Sequence, residues 1–119
     1  MTTYREFVVP TDEEILDALG QAPEQAGAEP TTRTVRLDNG AGDEVELTYD
    51  ILGRSVRCRW HRGPVLMLDL FREAATRMTV SSGRGAAGVT VAFETDSLAG
   101  TLDIQVYPSV RVADALLRR

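Results

Sequence analysis

Three segments between residues 32 and 62 alternate strictly between apolar and polar positions. This period of two is typical of strands that bury one face and expose the other. Turn-forming residues at 39–42 and 53–54 separate the segments. The sequence therefore predicts a three-stranded antiparallel meander over 32–62. The apolar positions are Val35 and Leu37 in the first strand, Val45, Leu47, Tyr49 and Ile51 in the second, and Val56, Cys58 and Trp60 in the third.

The polar faces of these strands restrict their register. In the first hairpin, the apolar pairing places Arg36 beside Glu46, an acid opposite a base. The second turn leaves two registers open, one that pairs Asp50 with Arg57 and one that pairs Glu46 with Arg59. In both registers, acids neutralise the arginines of the third strand.

A second hairpin is predicted over residues 88–107. Apolar residues alternate in both halves, with Val91 and Phe93 in the first and Leu102 and Ile104 in the second. This spacing pairs Phe93 with Leu102 and Val91 with Ile104.

Residues 12–19 carry the signals of a short helix. Thr11 followed three residues later by Glu14 is a capping box, and acids in the first turn favour the helix dipole. Ile15 begins the apolar stripe, and Gly20 supplies the stop.

Two further segments favour helix over strand. Over 65–78, the apolar residues fall on one side of a helical projection, and Leu, Met, Glu and Ala are good helix formers. An alternation of leucines keeps two strands, 65–71 and 76–82, as the alternative. Residues 110–118 follow a Ser109 cap and have an apolar stripe, so helix is again favoured, with a strand start left open.

These elements predict a single α+β domain over residues 1–119, with an antiparallel sheet packed on helices. Without a short first strand, the order α-β-β-β-α-β-β-α resembles that of small acidic secretion-chaperone domains. This resemblance implies a protein-binding role by fold analogy only. The predicted elements are the meander at 32–62, the hairpin at 88–107 and helices at 12–19, 65–78 and 110–118.

Composition excludes several chemistries. The chain has thirteen arginines and no lysine, which rules out lysine Schiff-base catalysis and a Walker-type phosphate loop. One histidine, His61, and one cysteine, Cys58, are too few for an ordinary zinc site or an intrachain disulfide. We therefore expect no cofactor, no metal and no catalytic residue set.

Other bulk features predict the cytoplasm of a bacterium. The first residues lack the pattern of a signal peptide, and the longest apolar run, from Val65 to Leu68, is too short to span a membrane. A single thiol fits a reducing compartment. Arginine in place of lysine, with abundant Ala, Gly and Val, is typical of a high-GC bacterial genome.

Two motifs match functional patterns without the required context. Residues 83–88 spell Gly-Arg-Gly-Ala-Ala-Gly, and Asp103 lies twenty residues beyond Gly83, as in a dinucleotide-binding fingerprint. That fingerprint must open a helix, whereas a strand follows here, so a hairpin loop is predicted. Cys58 and His61 lie three residues apart on one strand and face opposite sides, which argues against a nucleophile–base pair.

The charged clusters have ordinary structural explanations. Neighbouring carboxylates at 12–14, 43–44 and 94–96 lie at a helix start or near turns, and no calcium-loop pattern occurs. The arginines of the third strand lie opposite acids in a chain that is acidic overall, so we expect no nucleic-acid binding.

Uneven charge leads to the functional hypothesis. The net charge is −5, with −9 in residues 1–50 and +4 in residues 51–119. We predict a small non-enzymatic protein-binding module, chaperone-, immunity- or regulator-like, whose acidic surface meets a basic protein partner. A homodimer is a further prediction. The acidic surface consists of Asp12, Glu13, Glu14 and Asp17.

The alternative hypothesis is a small-ligand-binding protein or an enzyme. It requires a polar pocket of several hundred cubic ångströms around His61, Arg59 and Glu46, with the arginine as an anion clamp.

Overall fold

The computed structural model describes residues 6–118, most of which lie in antiparallel strands. Strands hold 62% of these residues, and one short helix holds 7%. The predicted α+β packing of a sheet on helices is therefore wrong, and so is the element order that resembled secretion chaperones. Two of the three predicted helices are strands.

Two meanders make up the fold. The first sheet has the strand order β1-β2-β3-β4-β5 and the second the order β6-β7-β8-β9, so neighbours in sequence are neighbours in space. The elements are α1 (Asp12–Leu19), β1 (Glu24–Gln25), β2 (Thr32–Asp38), β3 (Asp43–Asp50), β4 (Ser55–Arg62), β5 (Val65–Glu73), β6 (Ala75–Gly83), β7 (Ala86–Glu94), β8 (Leu98–Tyr107) and β9 (Arg111–Arg118).

The strands predicted over 32–62 are present as β2, β3 and β4. Arg36 lies opposite Glu46, as predicted, and Glu46 lies opposite Arg59 on its other side. The side chain of Asp50 explains the choice between the two registers. Its Oδ1 accepts a hydrogen bond of 2.9 Å from the backbone N–H of Gly53, which fixes the β3–β4 turn.

The helix predicted over 65–78 is absent, because this segment forms β5 and the start of β6, which belong to different sheets. Between them Ala74 adopts a left-handed φ of 66° and bends the chain. The backbone N–H of Ala75 donates to the carbonyl of Arg54 (3.0 Å), and the carbonyl of Ala74 accepts from Glu94 (3.1 Å). Hydrogen bonds to both sheets thus outweigh the helix propensity of the segment.

The helix predicted over 110–118 is also wrong. Residues Arg111–Arg118 form β9, which pairs antiparallel with β8 along its whole length. A segment this short is only marginally stable as a helix by itself, whereas the edge of β8 pairs with all eight of its residues.

The hairpin predicted over 88–107 is present as β7 and β8, but its register differs by two residues. Phe93 lies opposite Gly100 rather than Leu102. The reason is a tight turn, in which the hydroxyl of Thr95 accepts a hydrogen bond of 3.0 Å from the N–H of Leu98. The second strand therefore begins earlier than the sequence pattern predicts.

Helix α1 occupies the predicted residues. The Oγ1 of Thr11 accepts from the N–H of Glu14, and the Glu14 carboxylate accepts from the N–H of Thr11, each at 3.1 Å. Gly20 ends the helix at a φ of 79°. Fully buried Ile15 packs the helix against the second sheet.

One hydrophobic core joins the two sheets. Its fully buried side chains come from both, and include Leu47 and Val56 in the first sheet and Val91 and Leu102 in the second. Since the apolar positions of β2, β3 and β4 point into this core, the alternate positions, among them Arg36, Glu46 and Arg57, form the outer face.

Candidate protein-docking surface

The outermost strand of the first sheet exposes large apolar side chains. In the described part of the chain, β5 pairs with β4 on one side only, so its other backbone edge is open. Four of its side chains make up a surface that we call the β5 strip. They are Val65, Leu66, Met67 and Phe71, which are 56%, 45%, 43% and 52% exposed.

The turn before β5 and a bulge within it place these side chains outside the core. Gly63, at a φ of 55°, allows the tight turn between β4 and β5. The register then shifts, because His61 lies opposite Leu66 whereas Trp60 lies opposite Leu68. Met67 is thus an extra residue of the kind that bends a strand and redirects its side chains.

Beyond the bulge, β5 alternates between the core and the solvent. Leu70 lies opposite the buried Cys58 and packs against the core. Phe71 lies opposite Arg57 on the outer face and is half exposed. Phe71 therefore adds little to the core, although its neighbour in sequence does.

A polar cluster borders the strip at the start of β5. Asp43 is buried, and its Oδ1 accepts hydrogen bonds of 3.0 Å from both Trp60 Nε1 and Arg62 Nε. Its Oδ2 accepts from Asn39 Nδ2 at 3.1 Å. These hydrogen bonds, that from Trp60 above all, hold the pKa of Asp43 below its ordinary value.

The same cluster fixes an arginine over an aromatic ring. The guanidinium of Arg62 lies 5.4 Å from the centre of the Trp60 ring, within the range of a cation–π contact. The Arg62 side chain remains 59% exposed. Its other guanidinium nitrogens are thus presented to solvent beside Val65, its neighbour across the β4–β5 hairpin.

Arg57 and Arg59 on the outer face of β4 pair with an acid of β5, whereas the sequence predicts acids of β3 as their partners. Asp69 of β5 accepts two hydrogen bonds from Arg57, at 2.9 and 2.7 Å, and lies 3.7 Å from Arg59. This bidentate pair lowers the pKa of Asp69 and raises that of Arg57. The only acid within the apolar part of β5 is therefore neutralised, which leaves Leu66 and Phe71 as the side chains available for contact.

The predicted acidic surface lies on α1, and two of its four residues have partners within the chain. Asp12 accepts a hydrogen bond of 2.6 Å from Arg33, and Glu14 completes the capping box. Glu13 and Asp17 are exposed and make no ion pair with any residue from 6 to 118. The acids left for a basic partner are thus Glu13 and Asp17.

The residues of the alternative pocket do not enclose a cavity. Glu46 and Arg59 are neighbours on the outer face of the first sheet, and His61 lies opposite Glu44 on that face. A cleft of about 600 Å³ lies on the second sheet instead, and it includes none of the three predicted residues.

Cys58 and His61 lie on opposite faces of β4. Cys58 is fully buried in the core, and this burial raises the pKa of its thiol to about 11.

Residues 6–118 include no cluster of three or more Cys, His, Asp or Glu side chains placed to hold a metal ion. Their helix is also too short and too polar to cross a membrane.

The sequence pattern did not identify the β5 strip as a functional surface. Its signal was the apolar run from Val65 to Leu68, which is too short to span a membrane and is compatible with part of a helix or, as the alternative, with a strand over 65–71. The Asp43–Trp60–Arg62 cluster was also missed, because turn acids are ordinary and give no sign of their cross-strand partners.

Comparison with known proteins gives one structural match. No family model matches the chain, and no curated protein matches it. Among solved structures, the fold is similar to a chain of the contact-dependent growth inhibition toxin–immunity protein complex from Klebsiella pneumoniae 342. The TM-score is 0.79 at 11% sequence identity, over 92% of this chain and 96% of that chain. Such a likeness shows the fold alone.

Proposed function

We propose that this chain is a non-enzymatic, immunity-like module that binds a partner protein through the β5 strip. The observation that carries the proposal is the exposure of four large apolar side chains on an open edge strand. Soluble proteins rarely leave such patches uncovered unless they are interaction sites. An open apolar edge is otherwise an aggregation hazard.

The polar cluster beside the strip supports a docking role. Trp and Arg are the residue types most enriched at energetically dominant positions of protein interfaces. Asp43 holds Trp60 and Arg62 in place before any partner arrives, so little side-chain freedom is lost on binding. A rigid aromatic and a partly exposed guanidinium next to an apolar strip form a compact anchor for a protein surface.

The fold likeness supports the immunity-like part of the proposal. The similar chain comes from a complex of a toxin and its immunity protein. Function does not follow from fold, so this support is secondary to that of the exposed strip.

We propose further that the acids of α1 assist association with a basic partner. Glu13 and Asp17 carry charge that no described residue neutralises, in a chain of net charge −5. Such charges raise the rate of encounter with a basic protein, and salt screens the effect. If Glu13→Gln with Asp17→Asn leaves the association rate and its salt dependence unchanged, this part of the proposal is wrong.

The experiment that tests the docking surface is comparative affinity capture from native lysate. Baits are the unmodified chain, Phe71→Lys, Leu66→Lys and the control Leu52→Lys. Leu52 is 74% exposed in the β3–β4 turn, away from the strip. We expect one specific protein to bind the unmodified chain and the control, and to be lost from both strip variants. Equal capture by all four baits would refute the assignment of the strip.

A second measurement tests the immunity-like role. The captured protein is expressed in a bacterial host, alone and together with each bait. We expect it to inhibit growth, the unmodified chain to relieve the inhibition and Phe71→Lys to fail. A captured protein that is harmless when expressed alone would leave a binding module and remove the immunity-like role.

The predicted homodimer is tested on the purified chain. Sedimentation velocity measures its mass with and without Phe71→Lys. A dimer that this substitution dissociates would make a second copy of the chain the occupant of the strip.

A further inference from the structure

A cleft of about 600 Å³ lies across the outer face of the second sheet, whereas the β5 strip belongs to the first sheet. Its volume is within the range of small-molecule sites. The glycine-rich stretch 83–88 and Asp103 both line it. These residues match a nucleotide-binding motif in sequence, but a strand follows them where that motif requires a helix. The structure brings them together on a hairpin and a neighbouring strand rather than at a helix start.

Small side chains form the floor of this cleft. Gly88 and Thr90 of β7 and Ala113 of β9 lie on the outer face, on either side of Asp103 in β8. Gly88 is obligatory, because a Cβ there would lie 2.4 Å from the carbonyl oxygen of Ile104. The close approach of β7 to β8 thus requires glycine at this position, and the floor has no side chain there.

Two arginines on the rim of the cleft have no acidic partner among the described residues. Arg84 lies at the tip of the β6–β7 hairpin and Arg111 at the start of β9, both exposed and both lining the cleft. Neither forms an ion pair with any residue of the described range 6–118. Most other arginines of that range do form one, namely Arg33, Arg36, Arg57, Arg59, Arg62 and Arg72.

The one acid that lines the cleft is already engaged. Asp103 Oδ1 accepts a hydrogen bond of 2.7 Å from the hydroxyl of Thr90. The cleft is thus lined by two positive charges and one negative charge, in a chain whose net charge is −5.

The conformation of Arg84 adds to the argument. It has a φ of 53° and is followed by Gly85 at 74°, the signs of a type I′ hairpin turn. That turn prefers Asn, Asp or Gly at the position of Arg84. An arginine there is a departure from turn chemistry that folding does not require.

We infer that this cleft binds a small oxyanion-bearing ligand, whose carboxylate or phosphate group lies between Arg84 and Arg111. The guanidinium presents a planar set of donors that matches either group. The hydroxyls and the small floor residues accommodate the body of the ligand. This inference is independent of the proposed protein-docking function, because it uses another sheet and other residues.

The test is an amide chemical-shift titration at low ionic strength, with inorganic phosphate and succinate as separate probes. The signals followed are those of Gly88, Thr90 and Ala113. An acidic chain repels anions in general, so saturable shifts confined to this cleft report a specific site. We expect saturation with a Kd of about 1–10 mM for at least one probe.

Three variants separate the rim arginines from non-specific charge. Arg84→Asn removes the guanidinium and supplies a residue that the turn prefers, so folding is maintained. Arg84→Asn and Arg111→Gln are tested as separate single variants. Each is expected to weaken binding about tenfold. Arg77→Gln, an exposed arginine outside the cleft, should leave binding unchanged.

The outcomes decide both the site and its chemistry. Saturation by phosphate alone identifies a phosphate-bearing ligand, and saturation by succinate alone identifies a carboxylate-bearing ligand. Saturation by both probes indicates that the site recognises the oxyanion chemistry that the two share. No saturable shift with either probe overturns the inference. It is overturned equally if Arg84→Asn and Arg111→Gln bind as the unmodified chain does, or if Arg77→Gln weakens binding as much as they do.

Discussion

Gly88 is the position where one added methyl group tests the fold most sharply. A Cβ there would lie 2.4 Å from the carbonyl oxygen of Ile104 and 3.1 Å from the Cα of Gln105. Both atoms belong to the backbone of β8, so no side-chain rotation relieves the contact. In Gly88→Ala, β7 and β8 must therefore separate.

The expected loss of stability follows from that separation. Restoring an ordinary C···O contact of about 3.4 Å requires a shift of about 1 Å. Overpacking of this kind costs about 1–3 kcal/mol, and a stretched ladder hydrogen bond adds about 1 kcal/mol. Alanine recovers about 0.5–1 kcal/mol, because glycine loses more backbone freedom on folding. The net loss is about 1–3 kcal/mol, or a decrease in Tm of about 4–12 °C for a chain of this length.

Thermal unfolding followed by circular dichroism measures this effect, with Gly53→Ala as the matched control. A Cβ at Gly53 would lie 2.5 Å from Asp50 Oδ2, an atom of an exposed side chain that can rotate away with the loss of one hydrogen bond, that from the Gly53 N–H. We expect the control to lose less than about 1 kcal/mol. A Tm for Gly88→Ala within about 2 °C of the unmodified chain would refute the close approach of β7 and β8.

Three further predictions concern other parts of the fold. The lowered pKa values of Asp43 and Asp69 stabilise the fold above about pH 4, and this stability is lost as pH falls through the folded-state pKa values. When Tm is measured against pH, Asp43→Asn should therefore show a smaller decrease at acid pH than the unmodified chain. The buried thiol of Cys58, with a pKa raised to about 11, should resist a thiol reagent at pH 8 in the folded chain and react on unfolding; rapid modification of the folded chain would contradict its placement. Phe71→Lys should change the unfolding free energy by less than about 1 kcal/mol in urea titration, because the ring is half exposed; a larger loss would make Phe71 a core residue.

Local patterns predicted the three central strands of the first sheet. The strict alternation over 32–62 gave three strands and their buried faces, and opposed charges gave the Arg36–Glu46 pair. The choice of the second turn could not be predicted, because it depends on a hydrogen bond from the Gly53 backbone to the Asp50 side chain. The charges alone were compatible with both registers.

The error over 65–78 has a physical cause in the β5 strip. The apparent helical stripe combined core residues such as Leu70 and Met78 with exposed residues such as Met67 and Phe71. Hydrophobic periodicity identifies a fold when apolar residues point inward. Here a surface that we assign to a partner adds apolar side chains to the outer face, and these favoured a helix over the alternative of two strands.

The sequence led to a protein-binding hypothesis, but it did not locate the surface that we now propose for it. The protein-binding hypothesis rested on small size and acidic charge, and its acids lie on α1 as expected. The strip could not be located, because exposure of Leu66 or Phe71 depends on which strand ends the sheet. That order depends on the pairing of β4 with β5 as a hairpin, which a helical interpretation of residues 65–78 excludes.

The affinity of the captured partner protein for Phe71→Lys, relative to the unmodified chain and Leu52→Lys, tests the central claim most directly. An aromatic side chain offers about 150–250 Å², and Phe71 has half its surface exposed. Burying that half is worth about 2–3 kcal/mol at 25 cal/mol per Å², an upper bound for a protein interface. We expect Kd to rise at least about tenfold for Phe71→Lys and to stay unchanged for Leu52→Lys. Equal Kd values for all three proteins would contradict the β5 strip as the docking surface.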